Sequence, residues 1–437
     1  MNGETTVHFF LTLAVLLGVA KLAGAVAIRL GQPAVLGEIV AGIVVGPLVL
    51  PDSVRQVLLP PDVTPLLGAL AAVGLALFMF VVGYELDHAL LRGRKRTTIG
   101  VAAGSVLVPL IGGTLVAIPL ARHYATGSST GFVLFMGIAM SITAFPVLAR
   151  ILADRGLNRL PLGGVALSAA AVGDLLAWVA LAAVTALCGS AGQWQLALLP
   201  VYLVVLIAVV RPRLARLLKS YADGSTPPPS LLPLLAAGLL LSCAVTEWMG
   251  VHYIFGAFAF GAAMPRAGLE PLRAWVIRGA DQAGALLLPL YFVIAGSKVT
   301  MDGFGGTALL ALVVLIAVAV LTKAAGVYGG ARLAGMPREE ALPLSVLMNV
   351  RGLTEIVILT VGLELGLIGG DIYSMMVVMA VVTTAMAGPL LAVPRVGSAL
   401  SQVQSPTQRA KAPGSGPKVP EAALTAPTGG ELHRAAR

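Results

Sequence analysis

Long apolar runs alternate with short polar connections along nearly the whole chain, and that pattern admits few folds. A helix crossing the hydrocarbon core of a bilayer needs about 20 mostly apolar residues. Segments 8–30, 34–50, 64–86, 97–121, 130–152, 159–188, 192–210, 231–249, 252–265, 283–297, 304–331, 338–366 and 371–394 meet or approach that length. Backbone polar groups inside a bilayer must be satisfied within the protein, so such runs fold as helices. Only 11% of the residues are charged, against about 25% in soluble domains. The expectation is an all-α polytopic membrane protein of about thirteen transmembrane helices. Segments 34–50 and 252–265 are short for a span, whereas 159–188, 304–331 and 338–366 are long enough to tilt or break.

Lysine and arginine placement orients the chain. With the N-terminus outside, the inward connections hold Arg29, a cluster at Arg92, Arg94, Lys95 and Arg96, then Arg150, Arg155 and Arg159. Further along they hold Arg211 to Lys219, Arg266, Arg273, Arg278, Arg332 and Arg338, and the tail adds more. The outward connections carry only Arg55, Arg122 and Lys298. This asymmetry follows the positive-inside rule and favours an odd number of spans with a cytoplasmic C-terminus in a cell membrane. A net charge of +9 would suggest a nucleic-acid partner in a soluble chain. Here topology accounts for it, stacking aromatics are scarce, and no nucleic-acid partner is expected.

Residues 1–7 form a short leading segment and 8–395 the membrane domain. Residues 396–437 shift to Ser, Pro, Gly, Ala, Thr and Lys, too polar to bury a core, and are expected to be a disordered cytoplasmic tail. The first apolar run lacks a basic leader and is too long for a signal-peptide core, so it reads as the first span. Cys188 and Cys243 lie far apart, and His8, His88, His123, His252 and His433 form no metal-ligand motif. No disulfide framework, resident metal or cofactor is expected.

The Pro-rich stretch SYADGSTPPPS, residues 220–230, divides the chain into halves of about 8–188 and 231–394, with 189–230 as linking span and loop. Seven spans of offset would invert one half relative to the other. Gly37 and Gly42 precede Pro47 in the second span, as Gly256 and Gly261 precede Pro265 in the ninth. The fifth member of each half is interrupted, at SITAFP (141–146) and at NVRG (349–352). Matched interruptions in corresponding spans point to a transporter's central site.

Asp174 sits halfway along an apolar run with no opposite charge within two helical turns. An ionisable group at that depth is costly and marks a function by default. Burial disfavours the charged carboxyl group, so such a residue holds either a proton or one monovalent cation. That competition suffices for exchange if the site opens to one side at a time. In the first interruption Pro146 removes a backbone donor, and Ser141 and Thr143 offer hydroxyls. A packing kink and a cation-coordinating break fit Pro146 equally. In the second, Asn349 opens the break and Gly352 lets the chain unwind. Arg351 and Glu355, four residues apart, share a face if that turn is helical. A self-neutralising pair fits them better than a gate or an ion ligand. Two roles fit Lys323: snorkelling to the interface, or neutralising the unwound region or Asp174. Snorkelling is preferred for Lys21, and Glu38, Glu85 and Asp87 are expected near the interface, with a cytoplasmic funnel as the alternative setting for Glu38.

The stretches LGQPAVLGEIVAGIVVGP, MSITAFPVLARIL, AAAVGDLLAW, IFGAFAFGAAMP and MNVRGLTEIVIL together resemble the monovalent cation:proton antiporter family, in its Kef-type and bacterial sodium/proton exchanger branch. The resemblance spans residues 8–394. It implies two inverted repeats with a crossed pair of broken helices, a homodimer, and exchange of sodium, potassium or lithium for protons. It makes Asp174 the ion- and proton-carrying residue. It puts Thr143 in the first broken helix, Arg351 and Glu355 in the second, and Lys323 where electrogenic members place a lysine. Gly173 departs from the family pattern, which commonly has Asp or Asn there, so the lysine's usual acidic partner is missing. No nucleotide-binding domain is expected from the residues after the spans, so regulation of that Kef type is not implied. The alternative is a sodium-coupled symporter of a small organic anion. Such a carrier would not want a single proton-carrying carboxylate. An intramembrane enzyme would need a partner group for acid–base work, and no second mid-span aspartate is readable. A passive channel is separated from these only by flux coupling.

Overall fold

The apolar runs fold into helices throughout. The structure, a computed structural model, describes residues 3–47, 49–85, 95–154, 157, 160–188, 195, 197–219, 221, 227–228, 230–266, 268–300 and 305–392. The first half holds α1 (Gly3–Arg29), α2 (Ala34–Val45), α3 (Asp52–Leu58), α4 (Thr64–Glu85), α5 (Lys95–Tyr124), α6 (Ser129–Ser141), α7 (Phe145–Asp154) and α8 (Pro161–Cys188). Next come α9 (Leu199–Val205), a π-helical turn at Leu206–Val210, and α10 (Arg211–Lys219). The second half holds α11 (Leu231–Trp248), α12 (Tyr253–Ala263), α13 (Glu270–Ser297), α14 (Gly306–Leu333), α15 (Arg338–Leu347), α16 (Leu353–Glu364) and α17 (Gly370–Ala392).

Among the described residues, α1, α4, α5, α8, α11, α13 and α14 are each long and apolar enough to cross a membrane alone. The shorter spans are α2, α12 and α17, the pairs α6/α7 and α15/α16, and the α9–α10 run. The tail 396–437, most of the 220–230 linker, and Arg92, Arg94, Arg155 and Arg159 lie outside the described residues.

Three boundaries differ from the sequence reading. The tenth span starts at Glu270, so Arg273 and Arg278 are helix residues rather than loop residues. Arg266 and Arg273 turn to the end of α4, where they donate to the carbonyls of Gly83 and Tyr84 at 3.0–3.2 Å. Part of the basic asymmetry is therefore also helix capping at a C-terminus. The seventh span is displaced toward the C-terminus and runs on to Lys219. The short α3 was not expected; Asp52 in its first turn pairs with Arg55 at 2.5 Å. Two side chains also refine their readings. Lys21 reaches the Ala285 carbonyl at 3.2 Å, and Glu38, expected at the interface, is buried on α2.

Packing divides the helices into two bundles. Helices α1, α2, α4, α11, α12 and α13 pack chiefly on one another, and α5 to α8 with α14 to α17 form the second bundle. The glycine pairs show how the halves correspond. A Cβ on Gly37 would strike the Ala23 carbonyl of α1, and one on Gly256 the Ser242 carbonyl of α11. A Cβ on Gly42 would strike the Val293 carbonyl of α13, and one on Gly261 the Phe80 carbonyl of α4. The second span thus packs on the first and tenth as the ninth packs on the eighth and third. Seven spans of offset relate the two sets, as an inverted repeat requires.

Candidate functional site

The site forms where the two interrupted spans cross inside the second bundle. Helix α6 stops at Ser141, Ile142 is extended, and α7 begins at Phe145. Pro146 lies in the first turn of α7, where a missing N–H costs nothing. Helix α15 stops at Leu347 and α16 starts at Leu353. The two breaks touch through their backbones: the Ala144 N–H donates to the Val350 carbonyl at 3.2 Å.

Broken helices leave orphan carbonyls, and here buried side chains satisfy all four at the end of α6. The Ser141 hydroxyl donates to Ile138 O at 2.7 Å. Arg351 donates to Ala139 O at 3.3 Å and Met140 O at 2.6 Å. Lys323 donates to Ser141 O at 2.5 Å, and also to Ile142 O at 3.2 Å and to Ser105 O on α5 at 2.9 Å. Lys323 and Arg351 are both 0% exposed. Two cations thus meet the negative end of one half-helix, where the helix dipole favours them. Arg351 also pairs with Glu355 at 3.0 Å. Arg351 itself lies in the extended break, so the pair closes across the start of α16 rather than along one helical face. The Thr384 hydroxyl donates to the Arg351 carbonyl.

Asp174, on α8, is 3% exposed. Neither of its carboxylate oxygens makes a hydrogen bond of normal geometry. The Phe145 N–H and the Thr354 hydroxyl flank it, and Lys323 is the cation whose field reaches it. Phe145 opens α7 and Thr354 is the second residue of α16, so the carboxylate sits at the positive ends of two half-helices, a setting suited to an anion. Beside it runs a slot about one water in size, lined by Val82, Glu85, Phe145, Ala171, Leu175 and Phe258. Glu85 also lines a wide vestibule with Glu270, Arg273, Arg278 and Asp281. The slot therefore leads from Asp174 toward the face where Arg266 and Arg273 cluster.

The other sequence candidates divide. Thr143 is buried within the first break. Ser141 offers the site its backbone, because its hydroxyl is turned back on its own helix. Asn349 is buried with its side-chain oxygen unpartnered. A Cβ on Gly352 would press Val147 at 3.1 Å. Thr354, Ser105 and Thr384 were not among the sequence candidates. Thr354 was accessible to the same reasoning, since it is the first hydroxyl after the second break; the other two act through remote helices.

Residues 14–395 match the profile of the sodium/hydrogen exchanger, transmembrane family. The chain belongs to that family. It is 35% identical over 402 residues to Na(+)/H(+) antiporter NhaS4 of Synechocystis sp., covering 90% of this chain and 98% of that one. It is 37% identical over 385 residues to Cation/H(+) antiporter 17 of Arabidopsis thaliana, covering 85% of this chain but 47% of the plant protein. Its fold is similar to that of the sodium proton antiporter MjNhaP1 of Methanocaldococcus jannaschii, with a TM-score of 0.63 at 16% identity, covering 91% of this chain and 99% of that structure. These relatives lend the symporter alternative no support.

Proposed function

We propose that this protein exchanges a monovalent cation, Na+ or K+, for protons by alternating access, with Asp174 holding one or the other in turn. The observation that carries this is the state of that carboxylate: buried, without a hydrogen bond of normal geometry, and held at the positive ends of two half-helices. An ionised group in that place needs a counter-charge. Arg351 is balanced by Glu355, and Lys323 acts on the carboxylate through its field alone while its N–H groups go to carbonyls, so direct pairing at the carboxylate is left to a transported proton or cation. Thr143, the Thr354 hydroxyl and backbone oxygens of the breaks are the groups within the crossing that can replace water around a small cation. Motion of one bundle against the other would move the exposure of Asp174 from one face to the other while the site stays intact.

The vestibule side is cytoplasmic in this reading, with the N-terminus outside the cell membrane, residues 8–395 as exchanger domain, halves at 8–188 and 231–394, and the tail inside. Exposed Phe10, Leu22, Leu115 and Leu310 face membrane lipid or a second copy in a homodimer. The protein is a carrier, not an enzyme.

The test is proton flux in proteoliposomes driven by Na+, K+ or Li+ gradients. The parent should acidify or alkalinise the lumen in response to at least one cation. Asp174→Asn should insert and fold but give no coupled flux, because an amide cannot carry the proton. Parent-like flux in that variant would overturn the assignment.

A further inference from the structure

A second cavity lies at the opposite membrane face from the vestibule, on the boundary between the two bundles. It measures about 310 Å³, and Tyr253, Tyr291, Lys298, Thr360 and Glu364 line it beside the small residues of α4. Glu364 belongs to the second bundle and ends α16, the half-helix that begins beside Asp174. Lys298 and His252 belong to the first bundle. Lys298 donates to Glu364 at 3.2 Å, and the His252 ring nitrogen lies 3.5 Å from the other carboxylate oxygen. Glu247 faces away, accepting the Tyr253 N–H at 2.7 Å. Close by, Tyr373 donates to Ala295 O at 2.7 Å and the Thr300 N–H donates to Ser374. The bundles cannot part at this face without breaking these links.

The cavity has the chemistry of a cation site. The Glu364 carboxylate brings charge. Thr360 spends its proton on Ile356 O at 2.9 Å, so its oxygen serves as an acceptor, with the Tyr373 hydroxyl 3.5 Å away. Tyr291 is 7% exposed, and its hydroxyl lies against that of Thr360 without a hydrogen bond of normal geometry. Carboxylate and hydroxyl oxygens suit hard cations. One cation is already there, the Lys298 ammonium, on a flexible stem and a third exposed. Its pair with Glu364 is half-exposed and so weak.

We propose that this cavity is a second, external cation site, at which an incoming monovalent cation displaces Lys298 from Glu364, removing one of the links that hold the two bundles at the outer face and so favouring their parting. The proposal rests on the exchange reading and its orientation. It separates a site that recruits the cation and permits opening from the site, at Asp174, that carries it. A ligand with equal affinity for both states shifts nothing; here the cation binds only where the latch is broken.

The test uses the full chain in right-side-out membrane vesicles, with Cys188 and Cys243 replaced by serine and a single Ala72→Cys reporter in the cavity wall. Ile294→Cys serves as an independent reporter. A membrane-impermeant maleimide reports opening. At constant ionic strength, replacing N-methylglucamine with Na+ or K+ should raise the labelling rate several-fold. Glu364→Gln and Lys298→Met should label at the high rate without cation. Labelling that ignores the cation in the parent, or a cation response that survives Glu364→Gln, would overturn the site. Adding Asp174→Asn should abolish exchange yet keep the labelling response. Loss of the response there would assign opening to Asp174 instead. Retained exchange there would defeat the carrier assignment while leaving the outer site standing.

Discussion

Asp174 and Lys323 are both buried charges, yet their surroundings give them opposite tasks. Asp174 has no settled partner, which suits a group that must bind and release. Competition of one proton with one cation has a direct consequence: the cation half-saturation constant should rise about tenfold for each unit that the pH falls, once the protonated form dominates. Flux titrations at several pH values, with pH equal on both sides, check this; a half-saturation constant that ignores pH would argue for separate proton and cation sites. Lys323 is held by three carbonyls. Lys323→Met should leave them unpaired, at about 1–3 kcal/mol for each buried group left without a partner. Thermal unfolding of the detergent-purified protein should therefore shift clearly downward. A lysine that merely snorkelled would change stability by no more than about 0.5 kcal/mol.

The two breaks behave as one element, because each supplies what the other lacks. Arg351 of the second break closes the end of α6 in the first, and Glu355 balances it. Glu355→Gln should cost about 3–5 kcal/mol by leaving Arg351 buried without its counter-charge. Urea or thermal unfolding should show Glu355→Gln with Arg351→Met to be less damaging than the sum of the two single changes. The breaks themselves were legible: SITAFP and NVRG combine Pro, Gly, Asn and Arg within apolar runs, which no continuous membrane helix tolerates without a reason. Asp174 was legible for its depth alone. The partners were not. Apolar spacing in a helix buried on most sides does not say which way it is turned, so Lys323 could not be assigned to the carbonyls of Ser105, Ser141 and Ile142. Nor could the start of α13 be placed, because its first turns carry Arg273, Arg278 and Asp281 and read as a loop until α4 is seen beneath them. The five-apart glycines were legible as a weak repeat, and their packing shows why the spacing recurs: each pair clears two neighbouring backbones. Gly42→Leu and Gly261→Leu should therefore lower the yield of folded protein to a similar degree, measured by monodispersity after extraction.

At the scale of the whole molecule the open quantity is the charge moved per cycle, and it turns on Gly173. A Cβ at that position would meet Val106 on α5 at an ordinary 3.7 Å, next in sequence to Ser105, whose carbonyl accepts from Lys323. An acid at 173 would therefore stand close to the ammonium. In its absence three carbonyls hold the lysine, and among the described residues Asp174 is the mid-span carboxylate with neither oxygen in a hydrogen bond of normal geometry. One such charge carries one proton or one monovalent cation, so the exchange is expected to be electroneutral, one for one. The test imposes a membrane potential on proteoliposomes with equal pH and equal cation on both sides. The parent should show no net potential-driven proton movement. A proton current that requires the cation and disappears in Lys323→Ala would mean that the lysine sheds and regains a proton in each cycle, and would refute the one-for-one ratio. Gly173→Asp supplies the converse arm. It gives Lys323 an acidic partner that can trade it for a cation, so a cation-dependent current should appear where the parent has none.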